Sequence, residues 1–438
     1  MSEQEWVLFL LLVLLYAAFA AWLGRFSITM PMVLVFAGAV TGPGALNLID
    51  IPATASGVET VTEVTLALLL FADASTLNLG EVRRDSGLPT RLLSIGMPLT
   101  VVLGALAAYV LFPDEGIGFA LLLGAILAPT DAALGLPIFT NQRVPTRIRR
   151  ALNIESGLND GIATPLVTLF TAIAIEELAA AENSWLLEAV SDLGLGVLVG
   201  VAGGMIGGRL FVSAVAKHWT TTTGQHVGNL ALALGIYWTA LSIGGNGFIA
   251  AFVGGLVFGA TTRYRMREAT EFTEEGGTLL STFVWTQFGI ILVVPLVRSF
   301  DARAFLFAVL ALTVVRMVPV AISMIGTGLR RDTVLLMGWL GPRGLASVVF
   351  LLISVEALRE SHEEVDKLAA MAGWTIALSV FLHAISAAPL AKWYAGRLET
   401  ASPDAPELLP GPELPELHAP GRHRSFGAHR EHHASSSS

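Results

Sequence analysis

The sequence predicts an all-α polytopic membrane protein of about 13 transmembrane helices, arranged as inverted repeats with two crossed broken helices. Three observations carry that expectation. Of the 438 residues, 54% are hydrophobic and 14% charged, with a mean hydropathy of +0.68, whereas a soluble protein of this size carries roughly a quarter charged residues. The apolar residues fall into thirteen runs, most close to the ~20 residues that cross a bilayer core, separated by polar or Gly/Pro breaks. Two of these runs, the fifth and the twelfth, are interrupted near their middles by proline, glycine and a charged side chain. The absence of cysteine excludes a disulfide framework and any thiolate metal or redox site. A net charge of −9 argues against nucleic acid as a partner.

In chain order the runs lie at about 6–23, 29–47, 58–78, 91–112, 116–140, 149–176, 190–214, 226–243, 246–262, 278–297, 303–325, 333–355 and 367–395. The first follows Met1 to Trp6, which lacks a basic n-region, and it leads into further apolar runs, so it reads as a membrane helix and not a cleaved signal. The weakest break is Ser242 to Asn246; merging its flanks leaves twelve spans. Cytoplasmic loops are enriched in Lys and Arg, which tests the count. With the N-terminus outside, seventeen basic residues fall on the inner side, among them Arg83, Arg84, Arg143, Arg147 and Arg330, against Arg298, Arg303, Arg359 and Lys367 outside. An odd number of spans keeps this alternation, so the expected topology is N-terminus out and C-terminus cytoplasmic. The transmembrane region extends over 1–397, with repeats at about 1–176 and 226–397 and a linking helix at 190–214. Residues 398–438, rich in Pro, Glu, His and Ser, read as a disordered cytoplasmic tail whose five histidines, such as His418 and His433, are solvated low-complexity sequence.

An ionisable side chain at the bilayer centre costs ~2.5–3.5 kcal/mol even on the lenient insertion scale, so it normally faces a cavity or a partner. Seven such groups fall inside spans: Glu63 and Asp73 in the third, Asp131 in the fifth, Glu155 and Asp160 in the sixth, Arg316 in the eleventh and Arg343 in the twelfth. Glu63 lies near a helix end and can reach water. The segment Asn153 to Gly161 is the densest polar cluster: on a helix, Glu155 and Asn159 share one face at i, i+4, and Ser156 and Asp160 share the adjoining one. A first helical turn with acids at the positive dipole end would explain Glu155. It does not explain Asp160, which lies about ten residues beyond Arg147, Arg149 and Arg150, or ~15 Å deeper.

The fifth span contains Ala128-Pro129-Thr130-Asp131 and the twelfth Gly341-Pro342-Arg343-Gly344. Proline removes a backbone donor and clashes with the carbonyl four residues earlier, so both helices break. Two interrupted spans, seven spans apart, suggest the inverted repeats of secondary transporters, which bind ions where the breaks meet. An acid in one break and a base in the other compensate the opposed partial charges of the half-helix ends.

These residues resemble a known family. Ile154-Glu155-Ser156-Gly157-Leu158-Asn159-Asp160-Gly161 is similar to the Asn-Asp signature of the first cation/proton antiporter family, which includes NhaP-type bacterial sodium/proton antiporters and the animal sodium/proton exchangers. Ala128 to Asp131 resembles its unwound Thr-Asp stretch, Val315-Arg316 and Gly341 to Gly344 its two membrane arginine motifs, and Leu69 to Asp73 a third-span motif. The resemblance covers roughly residues 5–397. It implies a homodimer in the cell membrane, each protomer pairing a dimerisation domain with a six-helix core that moves as an elevator. It also implies that Asp160 binds cation and proton in turn beside Asn159, that Asp131, Thr130 and Ser156 complete or support the oxygen shell, and that Asp73 contributes, through water. Glu155 would pair with a membrane arginine, Arg316 or Arg343.

The implied activity is exchange of a monovalent cation, Na+ first and also Li+, for H+ by alternating access, with one proton per cation and no cofactor. Hard cations prefer carboxylate, hydroxyl and carbonyl oxygens, and dehydration favours the protonated form of a carboxylate, so a proton competes for the same oxygens. Three alternatives stand beside it. The first is potassium/proton exchange. The second is a channel, which needs no paired breaks. The third is an intramembrane aspartyl hydrolase with Asp131 and Asp160 as its dyad; neither aspartate has the Tyr-Asp or Gly-x-Gly-Asp context of such enzymes. A transporter and not an enzyme is the expectation.

Overall fold

The structure, a computed structural model, describes residues 2–43, 45–49, 56–77, 87–179, 185–359, 365–399, 402 and 404–408. Each apolar run is helical. α1 (Glu3–Gly24), α2 (Met30–Thr41), α3 (Ser56–Thr76) and α4 (Gly87–Leu111) come first. The fifth run is a pair, α5 (Gly116–Ile126) and α6 (Leu136–Thr140). There follow α7 (Thr146–Ala179), α8 (Trp185–Ala216), α9 (Thr222–Ser242), α10 (Gly247–Thr262), α11 (Arg267–Arg298) and α12 (Ala302–Ser323). The twelfth run is again a pair, α13 (Arg331–Trp339) and α14 (Leu345–Arg359), before α15 (Asp366–Leu398). No strand occurs among the described residues. By length and composition α1, α4, α7, α8, α11, α12 and α15 can cross a membrane, while α2 and α10 are shorter apolar helices.

The breaks follow from local chemistry. Between α9 and α10, Gly244 takes φ +77° and the Asn246 side chain accepts from the Ile249 amide (3.0 Å), capping α10. α4 and α11 each contain one widened π turn, at Leu92–Gly96 and Gly289–Val293. Each lies two residues before a proline, Pro98 or Pro295, whose missing N–H breaks the regular ladder. α11 starts eleven residues before the apolar run expected at 278, because one face of its polar first turns is packed: Asn229 of α9 donates to the Ala269 carbonyl (3.2 Å) and the Thr273 hydroxyl (2.8 Å). α12 is interrupted at Thr313 (φ −108°, ψ −90°), a break that the sequence does not announce.

Part of the segment expected to be disordered is ordered. A short 3₁₀ turn, Pro406–Leu408, docks on the ends of α7 and α13. Arg147 donates to the Pro406 carbonyl (2.5 Å), and Glu407, 1% exposed, accepts from the Arg330 amide (2.7 Å) and the Thr333 hydroxyl (2.8 Å). Glu407 thereby caps α13, whose own N-cap residue, Arg330, provides no side-chain cap. The remainder of the tail with its histidines, and the loop residues Arg83 and Arg84, lie outside the described residues.

Candidate functional site

The site is assembled where the two interrupted runs pass each other. α5 ends at Ile126, and the chain runs without regular helix through Leu127 to Asp131. α13 ends at Trp339 and α14 begins at Leu345. The two extended segments bond directly: the Asp131 amide donates to the Pro342 carbonyl (2.8 Å). The Asp131 carboxylate accepts from the Ala133 amide (2.8 Å) and, across the crossing, from the Leu345 amide (3.4 Å) at the start of α14. Gly344 is required here, since a Cβ on it would overlap the Asp131 carboxyl group.

The base in the second break serves the opposite helix end. Arg343, fully buried, donates from Nη1 to the carbonyls of Ala128 (3.0 Å) and Pro129 (3.3 Å) just beyond α5, and the Ser347 hydroxyl donates to the Ile126 carbonyl (2.7 Å). A guanidinium thus lies at the negative end of one half-helix and a carboxylate at the positive end of another. These contacts satisfy carbonyls and amides that a membrane interior leaves without water.

Glu155 and Arg316 form a two-pronged ion pair, with Nη1 to Oε1 2.6 Å and Nη2 to Oε2 2.9 Å, each residue 2% exposed. Of the two candidate arginines Arg316 is therefore the partner, and Arg343 holds carbonyls instead. Gly341 makes room for the pair, because a Cβ there would overlap the Arg316 guanidinium. The pair ties α7 to α12.

Beside it α7 faces the first break. Asn159, buried, donates to the Thr130 hydroxyl (2.7 Å), and the Thr130 and Ser156 hydroxyls lie 3.3 Å apart. The Asn159 side-chain oxygen is buried and finds no donor. Asp160, Asp131 and Asp73 are all half-buried, and the three carboxylates lie within electrostatic reach of one another. Among the described residues no three acidic or histidine side chains come close enough to ligate one metal ion together. Thr130, Ser156 and Asn159 are thus brought together beside Asp131 at the crossing, with the carboxylates of Asp160, from α7, and Asp73, from α3, within electrostatic reach of it. Glu63, on the same helix, is half-buried nearer its start.

Two site residues escaped sequence reasoning. Glu274 of α11 interacts electrostatically with Asp73. The α3–α11 packing places it there: Gly277 faces Leu69, and in antiparallel helices three residues back on one meets four residues on along the other. Its position in a polar stretch read as a loop hid it. The Phe252 ring of α10 occupies the space that a side chain at position 161 would take, and no sequence signal marks it.

Fold and site together define a class: a polytopic helical membrane protein built around two interrupted helices that cross and exchange charges at their broken ends. The family described as sodium/hydrogen exchanger, transmembrane, matches residues 9–393, and the chain belongs to that family. It is similar to the Na(+)/H(+) antiporter ApNhaP of Aphanothece halophytica, at 26% identity over 339 residues, covering 73% of this chain and 62% of the relative. It is also similar to the K(+)/H(+) antiporter NhaP of Alkalimonas amylolytica, 25% identical over 352 residues, 79% of this chain and 59% of the relative. The chain therefore spans about three fifths of the length of these two relatives. A probable Na(+)/H(+) antiporter 2 of Methanocaldococcus jannaschii is 26% identical over 400 residues, 83% of this chain and 90% of the relative. The fold is similar to the solved structure of the sodium proton antiporter MjNhaP1 from Methanocaldococcus jannaschii at pH 8, with a TM-score of 0.70 and 19% identity, covering 87% of this chain and 98% of that one.

Proposed function

We propose that the protein exchanges a monovalent cation, Na+ or Li+, for H+ by alternating access, with the ions taking turns on Asp160. The observation that carries this reading is the crossing itself. Asp131, the Thr130 and Ser156 hydroxyls and the donorless Asn159 oxygen lie around it, with Asp160 within electrostatic reach of Asp131, and such hard oxygen ligands suit a small cation. In the cycle Asp160 exchanges proton for cation, Asp131 adds an oxygen, Thr130 and Ser156 complete the shell, and Asp73 acts at one remove. Asn159 holds Thr130 in place, and the Glu155–Arg316 pair fixes α7 against α12. Thirteen crossings with the N-terminus outside, a homodimer in the cell membrane and a moving core of α4 to α7 and α12 to α15 complete the proposal.

A second reading is potassium/proton exchange, favoured by the relatives named as K(+)/H(+) antiporters. Proton release from everted vesicles on adding NaCl, LiCl or KCl separates the two. Release with sodium and lithium supports the first reading, and release with potassium alone supports the second. No release with any of them overturns both.

A further inference from the structure

Three polar residues of α15 contact the second break and its flanks. Its backbone amide at Arg343 lies outside any helix, so its hydrogen bond comes from elsewhere: it donates to the Ser379 hydroxyl at 2.6 Å. Ser379 is fully buried. One turn further on, His383, 1% exposed, brings Nδ1 to 3.1 Å from the same hydroxyl and 3.0 Å from the Ser379 carbonyl. The imidazole also stacks on the Trp339 indole, with ring centroids 4.9 Å apart, and meets the Trp339 backbone. Trp339 is the last residue of α13, and its indole nitrogen donates to Ser386 (2.8 Å), again on α15. One end of the break is thus held through Trp339 and the other through Arg343, both from α15.

Resting on the antiport reading, we infer that Ser379 and His383 are positioning residues that splint this break and thereby set cation affinity. The chain of contacts is short. Ser379 holds the Arg343 amide; Arg343 holds the Ala128 and Pro129 carbonyls; the adjoining Pro342 carbonyl and Leu345 amide hold Asp131. A hydroxyl that accepts from the amide has its own proton to give, and Nδ1 receives it in the neutral tautomer that carries its proton on Nε2, the other ring nitrogen. Neither residue touches the Asp160 cluster in the contacts described above. They act on it through the backbone of 342–345, and small displacements of oxygen ligands are what a cation site registers as affinity.

The test is sodium-dependent proton release in proteoliposomes for wild type, Ser379→Ala, His383→Ala and His383→Asn, with melting temperature recorded for each. Asn presents an amide near the position of Nδ1 and serves as the conservative replacement. Ser354→Ala is the control, since it deletes another buried hydroxyl, paired with Thr171 at 3.3 Å, in the neighbouring α14. Loss of one buried hydrogen bond corresponds to an affinity change of about tenfold. The expected result is a roughly tenfold higher apparent KM for sodium in Ser379→Ala and His383→Ala with kcat within about twofold of wild type, recovery in His383→Asn, and an unchanged KM in Ser354→Ala. Unchanged KM in both alanine variants, or an equal rise in Ser354→Ala, overturns the inference. If Ser379→Ala does not fold, the His383 pair of variants decides the matter. Failure of the wild type to transport any cation would instead overturn the antiport reading itself.

Discussion

Replacing Glu155 by Gln removes one charge and almost no volume from a pair in which both residues are 2% exposed and two hydrogen bonds run at 2.6 and 2.9 Å. With charge centres ~4 Å apart and an effective dielectric near 20, the gross attraction is about 4 kcal/mol. Breaking a buried pair costs ~3–5 kcal/mol because the remaining charge stays buried. Arg316 has little to fall back on, since its Nε already finds no acceptor. At ~2 °C per kcal/mol, Glu155→Gln melts on the order of 5–10 °C below wild type in detergent. Asp160→Asn provides the contrast: it replaces a half-buried carboxylate that makes no ion pair with an amide of nearly the same shape, so its melting temperature does not fall. The assay is thermal melting of purified protein by intrinsic tryptophan fluorescence. A double cycle with Arg316→Gln should show a coupling larger than the cycle with Arg343→Gln. A Glu155→Gln variant as stable as Asp160→Asn, or equal couplings to the two arginines, refutes the reasoning.

Asp160→Asn should abolish sodium-dependent proton flux while the protein remains folded; pH-dependent sodium flux in this variant would remove Asp160 from its role, and Asn159→Asp should keep some transport and change the charge moved per cycle. Gly344→Ala places a methyl group on the Asp131 carboxyl, so transport should be lost with backbone carbonyl contacts disturbed, and wild-type flux in vesicles would contradict the crossing geometry. One titrating Asp160 per cycle gives electroneutral exchange. At ~2.3 kcal/mol per charge for 100 mV, a single uncompensated charge would shift the equilibrium sodium gradient about fiftyfold in proteoliposomes under a potassium-valinomycin potential, and any such shift means that Asp131 or Asp73 titrates as well. Glu407→Ala deletes the cap of α13 and should lower the melting temperature by about 2–4 °C, as expected for ~1–2 kcal/mol; an unchanged value would argue against the docked turn.

Much of the site was legible because membrane burial makes polarity conspicuous. Asp131, Glu155, Asp160, Arg316 and Arg343 stand out as charges in apolar spans, and Pro129 beside Asp131 and the Gly-Pro-Arg-Gly stretch at 341–344 mark both breaks in the sequence. Less visible were features whose cause is a neighbour and not the chain itself. Glu274 lay in a polar stretch that only packing against α9 and α3 makes helical. Ser379 and His383 sit in a long helix where serine and histidine carry no pattern. The ordered turn at Pro406 to Leu408 belongs to a segment whose composition reads as disorder, and it is held by Arg147, 259 residues away.

Composition and the spacing of apolar runs are enough to establish a helical membrane protein, the approximate course of most of its helices, the two proline-bearing breaks, and the buried charges that need a reason to be there. Those properties follow from transfer free energies and backbone donors, which are local. The partner that each charge takes is settled by packing in three dimensions. Arg316 and Arg343 are equivalent candidates along the chain, both lone arginines in apolar spans. The three-dimensional crossing sends Arg316 to Glu155 and Arg343 to the carbonyl end of α5. The choice depends on distances between helices far apart in sequence, which no local pattern encodes.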